Sequence, residues 1–162
     1  MDVTITRARP EIWRRYRDLR LAALAESPEM FGSTWQREVD FDDEVWQTRA
    51  SHPGAFLADI DGVDVAIGGV YETGGRWVIN GVWVAPDQRG RGAVDAIVEA
   101  CVGFVASRGA EVIHLGVIAD NARGVAAYRR LGFVPDGRSE TLADGRLEIM
   151  MSRPVGPRRD DP

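Results

Sequence analysis

Two short stretches carry residue types and spacings suited to binding a ligand and to reaction. The first is Val82-Trp83-Val84-Ala85-Pro86-Asp87-Gln88-Arg89-Gly90-Arg91-Gly92. An apolar strand runs into a proline stop, then an arginine/glycine turn, then a helix opening near Ala93. The first amides of a helix have no intrahelical acceptor, and the helix dipole adds partial positive charge there. Glycines let the main chain approach a ligand with no β-carbon in the way. Such a turn is an anion cradle suited to a pyrophosphate. Alone, it reads equally well as a tight strand-to-helix turn. It lacks the third glycine of a dinucleotide fingerprint, and a chain with no lysine cannot form a P-loop.

The second stretch is Asp120-Asn121-Ala122-Arg123-Gly124-Val125-Ala126-Ala127-Tyr128-Arg129-Arg130-Leu131-Gly132-Phe133. Together the two resemble the acyl-CoA site of the GNAT superfamily of N-acetyltransferases. In that family the phosphate loop reads Gln/Arg-x-x-Gly-x-Gly/Ala. Arg89-Gly90-Arg91-Gly92-Ala93-Val94 matches it everywhere but the last position. The family's later helix carries Asn, then Tyr seven residues on, then Gly-Phe, as do Asn121, Tyr128 and Gly132-Phe133. The order of elements agrees from Val3 to about Arg153, although the motifs cover only a small part of that length.

The resemblance implies an α/β fold: a mixed, mostly antiparallel central sheet of about seven strands with helices on both faces. It implies one acetyltransferase domain over residues 1–153, followed by a disordered tail over 154–162. Acetyl-CoA is the implied co-substrate, bound by Trp83, Val84, Arg89, Gly90, Arg91, Gly92, Ala93, Val94 and Asn121. Trp83 and Val84 would offer backbone partners to pantetheine at an open strand edge. The amides from Arg89 to Val94 would take the pyrophosphate, with Arg89 and Arg91 adding charge. Asn121 would bond the pantetheine arm. Tyr128 would stand near the thioester sulfur and protonate the leaving thiolate as general acid. Val94 departs from the family's Gly or Ala, and its branched side chain would crowd the phosphates. Asp95 follows it, and a carboxylate beside a pyrophosphate repels by about 1 kcal/mol in water-like surroundings. Gly124 stands where the family has alanine, at a small cost in helix propensity.

The elements that carry these motifs follow from hydrophobic spacing. Val3 to Thr6 reads as a strand. Ile12, Trp13, Tyr16, Leu19, Ala23 and Leu24 form the apolar stripe of a helix, with Arg14, Arg17 and Arg20 toward solvent. Ser27-Pro28 ends it. Asp42 or Asp43 caps a short helix to about Ala50. Ala55 to Ile60, Val63 to Tyr71 and Trp77 to Val84 read as strands joined by the Asp61-Gly62 and Gly74-Gly75 turns. A crossover helix spans about Ala93 to Ser107 and ends at Arg108-Gly109. Val112 to Ile118 reads as a strand buried on both faces. A second helix spans Asn121 to Leu131. Phe133-Val134 and Leu147 to Met151 read as strands around a turn at Asp144-Gly145. Residues from Glu29 to Phe41 show no clear period.

Composition bounds the chemistry. The 162 residues carry a net charge of −5, against a nucleic-acid binder. Two histidines and one cysteine cannot build a zinc cluster, so no metal is expected. No apolar run is long enough to cross a bilayer, and the N-terminus lacks the pattern of a signal peptide. With a single cysteine, these features point to the cytoplasm. Cys101 and His114 read as packed residues, and His52 as a loop residue.

The resemblance implies an acceptor that is a primary amine on a small molecule or peptide. In the family it enters over the first helices and the late hairpin, here Glu26 to Phe41 and Arg138 to Gly145. Met30, Phe31, Trp35 and Phe41 are pocket candidates. Glu38, Asp40, Asp42, Asp43 and Glu44 would attract a cation. Glu72 and Glu148 are candidate bases, with Asn80 as a water holder and bulk water as the alternative. The resemblance allows a homodimer. Two rivals remain: a non-catalytic acyl-CoA sensor on the same fold, and another nucleotide-binding α/β protein.

Overall fold

Two tight turns decide the middle of the fold. Asp61 and Gly62 (φ 53° and 81°), then Gly74 and Gly75 (φ 56° and 77°), adopt left-handed backbone. Paired positive φ values give the turn twist that matches hairpin strands. They fold β2 (Ala55–Ile60), β3 (Val63–Thr73) and β4 (Arg76–Val84) into consecutive neighbours. The computed structural model describes residues 2–156. Its other strands are β1 (Val3–Arg7), β5 (Val112–Ile118), β6 (Val134–Thr141) and β7 (Leu147–Pro154). The helices are α1 (Trp13–Glu26), α2 (Trp35–Glu38), α3 (Asp43–Ala50), α4 (Ala93–Ser107) and α5 (Ala122–Arg130). The seven strands form one open mixed sheet in the order β1-β2-β3-β4-β5-β7-β6. β4 and β5 run parallel, while β1–β2, β2–β3, β5–β7 and β6–β7 are antiparallel.

Two compact units divide the chain. The first holds the described residues up to Gly69 and Gly81–Cys101. Leu19 and Ala23 of α1 pack there with Leu57, Ile67 and Trp83. A second cluster joins Trp13 to Trp46 and Ala50 of α3. A β-carbon on Gly68 would lie 2.6 Å from Ile97 of α4, so the strand admits the helix only by lacking a side chain. Arg14 and Arg17 stack on Trp13, with guanidinium carbons 4.5 and 5.1 Å from the ring centroid. Arg20 does not face solvent as its place in the helix suggested; it turns inward onto Glu38.

The second unit holds Val70–Asn80 and the described residues from Val102 on. Its core includes Ile113, Leu115 and Val117 of β5, with Phe133 and Met151. β5 was expected to be buried on both faces. Instead it alternates, with Val112 exposed and His114, Gly116 and Ile118 half-buried. β7 extends to Pro154, and Val155 is buried, its N–H donating to Glu111 O at 2.9 Å. The expected tail from 154 is therefore ordered at its start, and 157–162 lie outside the described residues. The stretch without a period contains a 3-10 turn, Pro28–Met30, and the four-residue α2, which Thr34 caps by accepting from Arg37 N–H.

Candidate active site

In the first unit β4 leads through a 3-10 turn, Pro86–Gln88, to the arginine/glycine loop and α4. Gly90 and Gly92 have φ of +80° and +88°, a region that side chains strain. A β-carbon built on either would meet nothing within 4 Å. Backbone conformation, and not crowding, demands glycine here, and the space over both Cα atoms is open. Ala96 N–H donates to Gly92 O at 3.0 Å. The amides of Ala93 and Val94 therefore have no acceptor within their own helix. Ala93 is buried beneath the turn, Val94 and Asp95 are half-buried, and Arg91 is exposed. This arrangement fits a diphosphate: an open glycine cradle at the positive end of a 15-residue helix.

The strand edge before the loop is more occupied than the sequence suggested. Ala85 N–H donates to Val65 O of β3 at 2.8 Å. Alternation then turns the backbone polar groups of Trp83 toward β3 and those of Val84 to the opposite edge. Of the two expected pantetheine partners, Val84 alone faces that edge. Trp83 is a core residue whose indole Nε1 donates to Glu26 Oε2 at 2.8 Å. The Val84 carbonyl accepts Arg89 Nε at 3.2 Å, and Arg89 Nη2 donates to the same Glu26 oxygen at 3.2 Å. Arg89 thus folds back on its own strand. Glu26 also accepts from Ser27 Oγ, and hydrogen bonds from Ser27 and Trp83 lead in holding its carboxyl below the usual range.

In the second unit, Asn121 caps α5 by accepting Gly124 N–H on Oδ1 at 3.0 Å. A β-carbon on Gly124 would fall 2.5 Å from Asn121 Nδ2. Glycine at 124 is therefore the counterpart of the asparagine cap, which leaves the Asn121 amide nitrogen as a donor. Tyr128 is half-buried, its ring edge-on to Phe133 with centroids 6.1 Å apart. Phe133 is fully buried, so the Gly-Phe pair anchors the end of α5 and fixes one side of the tyrosine.

The sequence matches the family model described as "Acetyltransferase (GNAT) family" over residues 16–133. The chain belongs to the GNAT acetyltransferase family. Streptothricin acetyltransferase of Streptomyces lavendulae is 33% identical over 84 residues, 49% of this chain and 44% of that protein. A solved nourseothricin acetyltransferase is 32% identical, with TM-score 0.58, covering 63% of this chain and 65% of that one. A Salmonella typhimurium protein, described as an acetyltransferase and solved with its cofactor acetyl-CoA, has TM-score 0.72 at 14% identity. It covers 97% of this chain and 96% of that one, a likeness of fold. The matches span less than half the length of the curated relatives.

Other candidate residues of this GNAT chain fall unevenly. In the second unit, Glu148 lies across β5: a β-carbon on Gly116 would meet its carboxyl carbon at 2.7 Å. Glu72 and Asn80 are exposed on β3 and β4. Cys101 is buried, and burial pushes its thiol up to about 12, which removes it as a nucleophile. Among the described residues no three His, Cys, Asp or Glu side chains group to hold a metal, and no helix is long and apolar enough to cross a membrane.

The acidic run of the first unit does not act as one face. Glu38 is fully buried between Arg20 and Arg49. Asp42 caps α3 by accepting Val45 N–H at 3.0 Å. Only Asp40, Asp43 and Glu44 remain as exposed charges without a capping role. Of the pocket candidates, Met30 and Trp35 are exposed, whereas Phe31 and Phe41 lie over Arg20 and Arg49.

Glu26 escaped the sequence reading because two of its partners, Trp83 and Arg89, lie 57 and 63 residues away. Glu26→Gln keeps an oxygen for the Trp83 indole and removes the charge that holds Arg89. Affinity for CoA is expected to rise about threefold, in line with an exposed ion pair released to a better anion. Calorimetric titration reads this, and weakened binding would mean that Glu26 orients Arg89 toward the ligand.

Proposed function

We propose that this chain is an acetyl-CoA-dependent N-acetyltransferase, working as one catalytic domain, whose acceptor is a primary amine. The observation that carries the reading is the cradle of the first unit: two left-handed glycines open to solvent at the start of α4, directly after β4. Gly90, Arg91, Gly92, Ala93 and Val94 would hold the pyrophosphate through backbone amides, and Arg89 would swing from Val84 O to join them. Val84 would then bond a pantetheine amide, and Asn121 Nδ2 would donate to the arm. Acetyl-CoA supplies the activated acyl group when bound.

The chain's part in the reaction is orientation and one proton. As the amine nitrogen bonds the acetyl carbon, the carbon–sulfur bond breaks, and the Tyr128 hydroxyl gives its proton to sulfur. The amine loses its own proton to water, or to Glu148 or Glu72. Holding two reactants together supplies most of the rate. The names of the streptothricin and nourseothricin relatives support a small-molecule amine as the acceptor class.

Calorimetric titration with acetyl-CoA, with NAD and ATP as controls, tests the reading, followed by an amine-library screen. Saturable binding of acetyl-CoA alone, then acetylation of an amine, is expected. No acetyl-CoA binding would overturn it. Binding without transfer to any amine would favour the sensor reading, in which Val94 and Asp95 at the cradle disfavour turnover.

A further inference from the structure

The first unit contains a charge cluster that does not balance. Arg20 Nε and Nη2 grip the two oxygens of Glu38 at 3.0 Å each, and Arg49 Nη1 adds a bond to Oε1 at 2.7 Å. The Glu38 side chain is 0% exposed and that of Arg20 19%. Two guanidiniums share one carboxylate, leaving one net positive charge. No second carboxylate among the described residues pairs with either arginine. Arg20 Nη1 has no hydrogen-bond partner among the described residues. It lies 3.9 Å from the point where a β-carbon of Gly81 would stand. Gly81 has φ +65° inside β4, so the strand kinks there and presents no side chain against the guanidinium. Phe31 covers the guanidinium at 4.9 Å from the ring centroid.

Position gives this cluster a meaning, on the reading under Proposed function. The pyrophosphate cradle follows the end of β4, and the pantetheine arm would run back along the strand from Val84. Its acyl end therefore approaches Gly81, beside Arg20 Nη1. We propose that Arg20, through Nη1, binds a carboxylate on the acceptor. The acceptor is then an amine that also carries an acid group, such as an amino acid, and not a polycation. A guanidinium with two of its nitrogens fixed on a buried carboxylate is preorganised, so binding at the third costs little ordering. Asp42 and Glu44 line a cavity with Arg49, so the selectivity for an acid group is assigned to Arg20 Nη1 alone.

The test compares the common amino acids with their carboxamides, which keep the amine and lose only the negative charge. Acetylation of the acids is expected at 10-fold or more the kcat/KM of the carboxamides. Arg20→Lys keeps a cation for Glu38 and removes the third donor, so it is expected to abolish most of that preference with acetyl-CoA affinity unchanged. Equal or greater kcat/KM for the carboxamides would overturn the proposal while leaving the transferase reading intact. A second readout does not need turnover: calorimetric titration of the protein, with and without CoA, using the N-acetyl amino acids and their carboxamides. Saturable binding of the acids alone, lost in Arg20→Lys, is expected. No binding, or binding blind to the carboxylate, would overturn the proposal. Failure of the transferase reading shows separately, as absent acetyl-CoA binding.

Discussion

Replacing Tyr128 with phenylalanine is expected to lower kcat by about 100-fold or more, the range of general acid catalysis, with acetyl-CoA affinity nearly unchanged. The substitution deletes one oxygen and keeps the ring. The edge contact with the buried Phe133, centroids 6.1 Å apart, therefore survives, and α5 keeps its anchor. The lost atom is the one assigned to protonate the departing sulfur. A second comparison separates this from a packing effect. Acyl thioesters with more acidic thiols need less help from an acid, so the deficit of Tyr128→Phe is expected to shrink as the leaving-group pKa falls. Steady-state kinetics with a short series of acetyl thioesters reads both effects. An unchanged kcat would remove Tyr128 from the reaction. A constant deficit across the series would make it a positioning residue.

The largest effect on stability is expected at Glu38. Glu38→Gln leaves Arg20 and Arg49 without their shared anion, and breaking a buried pair costs about 3 kcal/mol or more. Both arginines retain some solvent contact and cation–π neighbours, which places the loss toward the lower end of that range. Urea denaturation reads it as a lower midpoint at unchanged slope. The pH dependence adds a signature. Burial alone would raise the Glu38 carboxyl, but hydrogen bonding and charge from Arg20, with the charge of Arg49, outweigh it and hold it below its ordinary value of 4.5. A carboxyl depressed by folding stabilises the protein above its unfolded value, and that contribution is lost as pH falls through the folded value. The native protein is therefore expected to lose stability below about pH 4.5 more steeply than Glu38→Gln. Parallel acid profiles would show that the pair contributes nothing to stability.

Arg20 and Glu38 also show where reading along the chain fails. The helical stripe of α1 put Arg20 on a polar face, and that face is real. It meets another element, however, and Glu38 lies 18 residues away in a helix of only four residues. An acidic stretch looks like one solvated face in sequence, whereas folding gives its members separate work. Glu38 pairs in the interior, Asp42 caps α3, and Asp43 and Glu44 stay in water. Trp83 is similar. Apolar character placed it correctly in β4, but which edge its backbone faces follows from Ala85 bonding Val65.

Local rules determined a good deal. Glycines at turns and at the arginine/glycine loop have conformations only glycine adopts easily, so Gly74-Gly75, Gly90 and Gly92 mark their structure unaided. Period-2 and period-3.6 spacing located most of the strands and helices, because burial of one face repeats along each element. The paired motifs around Arg89 and Tyr128 are short and contiguous, so the family was readable from them, and the match over residues 16–133 agrees. Long-range partnership is what only the tertiary structure decided. Glu26 holds Trp83 and Arg89, Gly124 yields to Asn121, and Arg20 and Arg49 share one carboxylate beside a kinked strand. No local pattern encodes such contacts, because a side chain's partners depend on how distant segments meet, and a charge's role depends on what is buried beside it.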